Sequence, residues 1–120
     1  MGLKVFLTDD SAFMRTMLKN LITKEGHEVI GEGADGSEAV EKVPQLKPDL
    51  VFMDIMMPNM NGIEALKKIK EISPETKVIM CTSVGQEKVI TEAVEAGASE
   101  FVIKPFKPDD IHEVLSKYSQ

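Results

Sequence analysis

Short apolar runs recur along the chain and alternate with segments of helical periodicity. The runs are rich in β-branched or bulky residues, and most are continuous: Val5-Phe6-Leu7, Val29-Ile30, Leu50-Val51-Phe52-Met53, Val78-Ile79-Met80-Cys81 and Phe101-Val102-Ile103. Continuous apolar runs are typical of strands that are buried on both faces of a parallel sheet. The second run is interrupted by Gly31 and Gly33, and we therefore predict that it forms an edge strand.

The sequence predicts the first helix more clearly than the second. In the first, apolar residues repeat in pairs every four residues from Phe13-Met14 to Leu21-Ile22, which places them on one face, and Gly26 predicts the end of the helix. The second begins at about Ser37, and Pro44 is expected to end or kink it early, because proline cannot donate a backbone hydrogen bond.

Three further helices complete the pattern. Their apolar positions are Ile63, Leu66 and Ile69 in the third, Val89, Ile90, Ala93 and Val94 in the fourth, and Ile111, Val114, Leu115 and Tyr118 in the last. Gly97 predicts the end of the fourth helix, and Pro108 stands at the first position of the last. Five β-α repeats of this kind predict an α/β fold, doubly wound, with helices on both faces of a parallel sheet.

Composition narrows the class of protein. The chain has 120 residues, with 20 acidic residues against 14 lysines and arginines, and its formal net charge is −6. Only Arg15 is an arginine, and the chain has no basic stripe, so it is a poor general nucleic-acid binder. Cys81 is the single cysteine, which excludes an intrachain disulfide. The apolar runs are far shorter than a membrane helix and no signal peptide precedes them, and we expect a cytoplasmic protein without a membrane partner.

Polar side chains follow four of the predicted strands. Asp9 and Asp10 follow the first, Asp54 the third, Thr82 and Ser83 the fourth, and Lys104 the fifth. The carboxyl ends of parallel strands meet at one edge of the sheet, where doubly wound folds bind ligands. Carboxylates held close together repel one another, and an all-oxygen set of this kind suits a hard divalent cation, Mg²⁺ above all. The alternative is that Asp9 and Asp10 only cap the first helix, with Asp10 or Ser11 at the N-cap.

As a set, these motifs resemble a known family. Asp9-Asp10, Asp54 followed by Met57-Pro58 and Gly62, Thr82, and Lys104-Pro105-Phe106 resemble the receiver domain of two-component response regulators. The similarity extends from Lys4 to the final helix, and residues 1–120 are expected to be one receiver domain. The resemblance implies a flavodoxin-like (βα)5 sheet with strand order 2-1-3-4-5.

The resemblance also implies roles for individual residues. Asp54 would accept a phosphoryl group, with Mg²⁺ held by Asp10 directly, by Asp9 mainly through water, by Asp54, and by the backbone carbonyl of Met56. Lys104 would neutralise the phosphoryl oxygens, Thr82 would then bond to one of them, and Phe101 would be the switch aromatic. For Phe101 the alternative is an ordinary core residue of the strand. The Lys104–Pro105 bond is expected to be cis.

Partners follow from the same resemblance. A sensor histidine kinase of the chemotaxis type would supply the phosphoryl group, and a flagellar switch protein or another output partner would bind the phosphorylated monomer. A phosphatase is a further expected partner. The domain would catalyse only its own phosphorylation and dephosphorylation, and would not otherwise be an enzyme. Met56 and Val84 cannot hydrogen-bond an attacking water, which predicts slow loss of the phosphoryl group.

Three alternatives remain at this point. A phosphorelay intermediate would pass the phosphoryl group to a second histidine phosphotransfer protein. A phosphatase of the haloacid dehalogenase type needs an Asp-x-Asp motif, whereas this chain has Asp9-Asp10-Ser11 at one strand end and Asp54-Ile55-Met56 at the other. A flavin or nucleotide binder would need a loop rich in glycine and hydroxyl groups, where this chain carries carboxylates.

Overall fold

Five strands and five helices alternate along the chain in a computed structural model, which describes residues 2–83 and 87–119. The elements are β1 (Lys4–Thr8), α1 (Ala12–Lys24), β2 (Glu28–Gly33), α2 (Gly36–Leu46), β3 (Leu50–Asp54), α3 (Gly62–Ile72), β4 (Lys77–Thr82), α4 (Glu87–Glu95), β5 (Glu100–Ile103) and α5 (Pro108–Tyr118). Among the helices of these residues, none has both the length and the apolar composition needed to cross a membrane.

The five strands form one parallel sheet in the order β2-β1-β3-β4-β5. This confirms the predicted doubly wound architecture and the place of β2 at an edge. Thr8 of β1 pairs with Met53 of β3, and Asp54 pairs with Cys81 of β4. The carboxyl ends of the central strands therefore lie almost level, and the residues that follow them share one edge of the sheet.

The core is divided by the sheet into two layers. One layer lies under α1 and α5 and includes Leu7, Ile22 and Leu115, and the other lies under α2, α3 and α4 and includes Phe6 and Leu66. All residues of β3 are buried, because this strand is central and covered on both faces. The continuous apolar runs of the sequence thus correspond to strands between two helical layers.

Local capping explains where the helices begin and end. The Ser11 hydroxyl accepts from the Met14 N–H, so Ser11 is the N-cap of α1 and the alternative with Asp10 at the cap is wrong. Gly26 and Gly97 follow α1 and α4 with φ of +88° and +106°, a region that favours glycine and that confirms both predicted helix ends. Pro108 opens α5, as predicted.

Two expectations about the helices differ from the structure. Pro44 does not end helix α2, which continues two residues beyond it to Leu46, because its apolar face packs on the sheet through buried Ala39 and Val43. Phe13 does not join the buried face of α1, since its side chain is 71% exposed. It lies in the first turn of the helix, close to the carboxyl edge of the sheet, where no described element covers it.

Candidate functional site

Three carboxylates meet at the carboxyl edge of the sheet. Asp9 follows directly after β1, and Asp54 is the last residue of the neighbouring strand β3. One carboxylate oxygen from each of Asp9, Asp10 and Asp54 lies within 4.8 Å of the other two. Asp9 and Asp54 are buried, whereas Asp10 is exposed. The cluster therefore has a buried floor and an open side.

Lys104 brings one positive charge into this cluster. It follows directly after β5, where its backbone N–H donates to the Thr82 carbonyl at 2.8 Å. Its Nζ lies 2.7 Å from Asp9 Oδ2 and 3.3 Å from Asp54 Oδ1. The bond between Lys104 and Pro105 is cis, which confirms the expectation drawn from the resemblance.

The charges of the cluster are unbalanced. Burial raises the pKa of Asp54 to about 6, the negative charge of Asp9 adds to this effect, and the charge of Lys104 opposes it. Burial would lower the pKa of Lys104, but the hydrogen bond to Asp9 and the charge of Asp54 outweigh it and raise this pKa. One ammonium thus faces three carboxylates that offer only oxygen donors, a set that fits a hard divalent cation.

Thr82 lies beside the carboxylates, but its hydroxyl points elsewhere. It is the last residue of β4, 3% exposed, and its Oγ1 donates to the Ser83 carbonyl at 3.3 Å. Ser83 itself is exposed. Phe101 lies three residues before Lys104 on β5, where its half-buried ring packs against the core layer of α2, α3 and α4. The structure therefore places Thr82 at the site and Phe101 outside the carboxylate cluster.

The loop between β3 and α3 is held in place by its own glycine and asparagines. Gly62 N–H donates to the Ile55 carbonyl at 2.8 Å, and a Cβ on Gly62 would lie only 2.1 Å from the Asp54 carbonyl oxygen. Asn59, with φ of +66°, donates to Asp35 Oδ2 at 2.7 Å, and Asn61 caps α3. These contacts fix the backbone that carries Met56, whose side chain is 69% exposed. Val84, the companion position, lies outside the described residues.

The contacts of Arg15 at the site could not be predicted from the pattern of apolar residues. Arg15 on α1 donates through Nη1 to the Asp9 carbonyl at 2.5 Å and through Nε to Glu32 at 3.0 Å. The sequence analysis assigned no contact to this residue, which is the single arginine of the chain. Its partners lie six and seventeen residues away along the sequence. The periodicity of a helix or a strand does not indicate contacts at these separations.

Comparison with known proteins supplies the family. The protein-family model described as "Response regulator receiver domain" matches residues 5–116. Among curated proteins, the chemotaxis protein CheY of Thermotoga maritima is 53% identical over 120 residues, which cover 100% of this chain and 100% of that protein. CheY of Bacillus subtilis is 45% identical over 117 residues, 98% of each chain.

A solved structure shares the arrangement of the strands and helices. In the CheX-CheY-BeF3-Mg complex from Borrelia burgdorferi, the matching chain is 34% identical and has a TM-score of 0.91, covering 98% of this chain and 90% of that chain. The family match, the relatives that align over the whole chain and the strand order all agree with one another. The chain belongs to the response regulator receiver domain family.

Proposed function

We propose that this chain, over residues 1–120, is a response regulator receiver of chemotaxis that accepts a phosphoryl group on Asp54. One observation carries the proposal: the buried Asp54 carboxylate lies 3.3 Å from Lys104 and within the oxygen cluster of Asp9 and Asp10. The similarity to CheY proteins over the whole chain supports the role in chemotaxis.

The reaction is a phosphoryl transfer from a phosphohistidine. An Asp54 carboxylate oxygen forms a bond to phosphorus while the bond from phosphorus to the imidazole nitrogen breaks, and the histidine leaves with the electron pair. Lys104 is placed to neutralise charge on the transferring oxygens, because its Nζ already contacts both buried carboxylates. The product is an aspartyl phosphate on Asp54.

A Mg²⁺ ion would be held by Asp10 directly, by Asp9 mainly through water, by Asp54, and by the Met56 carbonyl. When bound, the ion supplies positive charge that offsets the phosphoryl oxygens during transfer. The exposed position of Asp10 and the held backbone around Met56 are compatible with this assignment.

Phosphorylation would change a distant surface through Thr82 and Phe101. The Thr82 hydroxyl would exchange the Ser83 carbonyl for a phosphoryl oxygen, and the half-buried Phe101 ring would move inward behind it. These shifts would alter the face formed by α4, β5 and α5, where the side chains of Val94 and Ile103 are exposed. The added charge thus biases an equilibrium between two conformations.

The proposed partners are a chemotaxis histidine kinase, a flagellar switch protein or other output partner, and a phosphatase, each acting on a cytoplasmic monomer. Catalysis would be limited to the domain's own phosphorylation and dephosphorylation. The alternative output is a second histidine phosphotransfer protein, as in a phosphorelay. Transfer of label from phosphorylated protein to such a domain, without binding to a flagellar switch peptide, would favour the phosphorelay.

The direct test uses a small phosphodonor. Incubation with Mg²⁺ and acetyl phosphate, followed by intact-mass measurement, should show a gain of one phosphoryl group that disappears in Asp54→Asn. Asp49→Asn is the matched control, because Asp49 lies at the opposite end of β3 and should leave the gain unchanged. No gain in the wild-type protein, or an undiminished gain in Asp54→Asn, would contradict the proposal.

A further inference from the structure

The Arg15 side chain connects two strands at the edge of the candidate site. Its guanidinium is largely buried, with 18% of the side chain exposed, and it donates to two acceptors at once. Nη1 donates to the Asp9 carbonyl at 2.5 Å, and Nε donates to Glu32 Oε1 at 3.0 Å. A planar guanidinium can hold two acceptors in a fixed relative position, which a lysine ammonium on a flexible stem does less well.

The Asp9 carbonyl needs such a donor because of where it lies. It follows the end of β1 and precedes Ser11, the N-cap of α1. The Asp9 N–H is bonded to the Gly33 carbonyl at 3.1 Å, but among the described residues the donor to the Asp9 carbonyl is Arg15 rather than a backbone N–H. The peptide that this carbonyl belongs to links Asp9 to Asp10, the two acids proposed to face Mg²⁺.

Glu32 fixes the other end of the guanidinium. It lies on β2 in register with Leu7 of β1, so it stands beside the strand that ends at the site. Its carboxylate is 3.8 Å from Lys19 Nζ as well, but the Lys19 side chain is 51% exposed and makes no described contact with Asp9. Arg15 is therefore the link between this carboxylate and the loop that carries the acidic pair.

We infer that Arg15 is a positioning residue for the divalent cation: it fixes the peptide between Asp9 and Asp10 so that both carboxylates face one ion. The inference rests on the proposed function, which assigns the ion to these residues. Neighbouring carboxylates repel, and a loop freed from Arg15 can relax by turning Asp10 outward. Mg²⁺ requires nearly octahedral geometry, so such relaxation should weaken its binding.

The sign of the effect separates positioning from simple electrostatics. Removal of a nearby positive charge should by itself make cation binding tighter, whereas loss of positioning should make it weaker. Arg15→Met keeps much of the aliphatic stem and removes both hydrogen bonds. Arg15→Lys keeps the charge, but its single ammonium cannot reproduce the two-acceptor geometry. Lys19→Met is the matched control, because it removes a cation near Glu32 without a contact to Asp9.

The experiment measures Mg²⁺ binding to the chelator-treated, unphosphorylated proteins by isothermal titration calorimetry, with thermal unfolding recorded for each variant. We expect the Kd for Mg²⁺ to rise about tenfold in Arg15→Met, as is usual when a residue that orients a metal ligand is lost. Arg15→Lys should fall between this variant and wild type, and Lys19→Met should match wild type. With acetyl phosphate, the Mg²⁺ concentration for half-maximal phosphorylation should rise in parallel, while the rate at saturating Mg²⁺ stays near that of wild type.

Three results would overturn the inference. Unchanged or tighter Mg²⁺ binding in Arg15→Met would show that the residue acts only on stability or through its charge. If Arg15→Met does not fold, wild-type affinity in Arg15→Lys would overturn it equally. Absence of Mg²⁺ binding in the wild-type protein would overturn the inference together with the proposed function. If wild type binds Mg²⁺ and only the expected change of Kd in the variants is missing, the inference is overturned and the proposed function stands.

Discussion

Lys104 and Asp9 are 95 residues apart in the sequence, yet Lys104 Nζ donates to Asp9 Oδ2 at 2.7 Å. The strands that directly precede them, β5 and β1, are not neighbours in the sheet, because β3 and β4 lie between them. The lysine side chain therefore reaches along the carboxyl edge of the sheet, and Asp54 lies beside its path at 3.3 Å. The Lys104 ammonium therefore neutralises part of the negative charge of the three carboxylates.

Lys104→Met should therefore destabilise the metal-free protein more than the Mg²⁺-bound protein. In a chelating buffer we expect the free energy of unfolding to fall by about 2 kcal/mol, because buried carboxylates lose their counter-charge. Saturating Mg²⁺ should restore much of this loss, since the ion neutralises the same carboxylates. Thermal unfolding with and without Mg²⁺ measures both values.

The control for this prediction is Lys117→Met. Lys117 also forms an ion pair at 2.7 Å, with Glu100, but its side chain is 62% exposed, and such surface pairs contribute little. It should change stability only slightly in both buffers. An equal loss for Lys104→Met with and without Mg²⁺ would show that the lysine acts through packing rather than by charge neutralisation.

Thr8 carries a buried hydroxyl for which the described residues offer no hydrogen-bond partner. It is 3% exposed at the end of β1, and among the described residues its Oγ1 is the buried side-chain polar atom that lacks a hydrogen bond. Thr8→Val has nearly the same shape and removes this unsatisfied group, so it should stabilise the protein by about 1 kcal/mol. Chemical denaturation measures the change.

Thr76→Val is the matched control. Buried Thr76 donates to the Pro48 carbonyl at 3.5 Å, so this substitution should not stabilise the protein. Equal effects of the two substitutions would contradict this account.

The fold could be predicted because its signals are local. Continuous apolar runs predicted the buried strands, Gly26 and Gly97 predicted two helix ends, and the polar residues after the strands predicted which side chains gather at one edge. For Pro44 and Phe13, the local signal was misleading. Packing of α2 on the sheet outweighs the missing hydrogen bond of Pro44, and Phe13 is exposed in the first turn of α1 although its neighbour Met14 packs against the core layer under α1 and α5.

Long-range polar pairs that do not involve the residues directly after the strands could not be predicted from the sequence. The contacts of Arg15 with Glu32 and of His112 with Glu25 join residues 17 and 87 positions apart. Neither pair leaves a periodic pattern, because each partner lies on the polar side of its own element. Only the packed positions of α1 against β2 and of α1 against α5 bring these side chains together.

The pair of His112 and Glu25 should make stability depend on pH. His112 Nδ1 lies 2.6 Å from Glu25 Oε1 between α5 and the end of α1, and this hydrogen bond, with the charges of Glu25 and Asp109, raises the pKa of His112. A raised folded-state pKa gives stability that is fully present below the unfolded value, about 6.5, and is lost as the pH rises through the folded value.

We therefore expect His112→Gln to lower Tm most below about pH 6.5 and progressively less as the pH rises through the raised folded-state value, by on the order of 1–2 °C at its largest, because the pair is at the surface. Glu25→Gln should reproduce the same pH profile. A Tm difference that is constant with pH, or that grows as pH rises, would show that the contact does not depend on protonation of His112.

Met56 should slow the loss of the phosphoryl group from Asp54. It stands two residues after Asp54 with an exposed side chain that cannot hydrogen-bond an attacking water. An amide at this position can orient that water, so Met56→Asn should speed dephosphorylation by on the order of threefold to tenfold. The time course of intact mass after removal of acetyl phosphate measures the decay. Ile72→Asn, a similar change of an exposed apolar residue at the far end of α3, should decay like wild type. Decay of Met56→Asn at the wild-type rate would show that water access, rather than water orientation, limits the lifetime of the aspartyl phosphate.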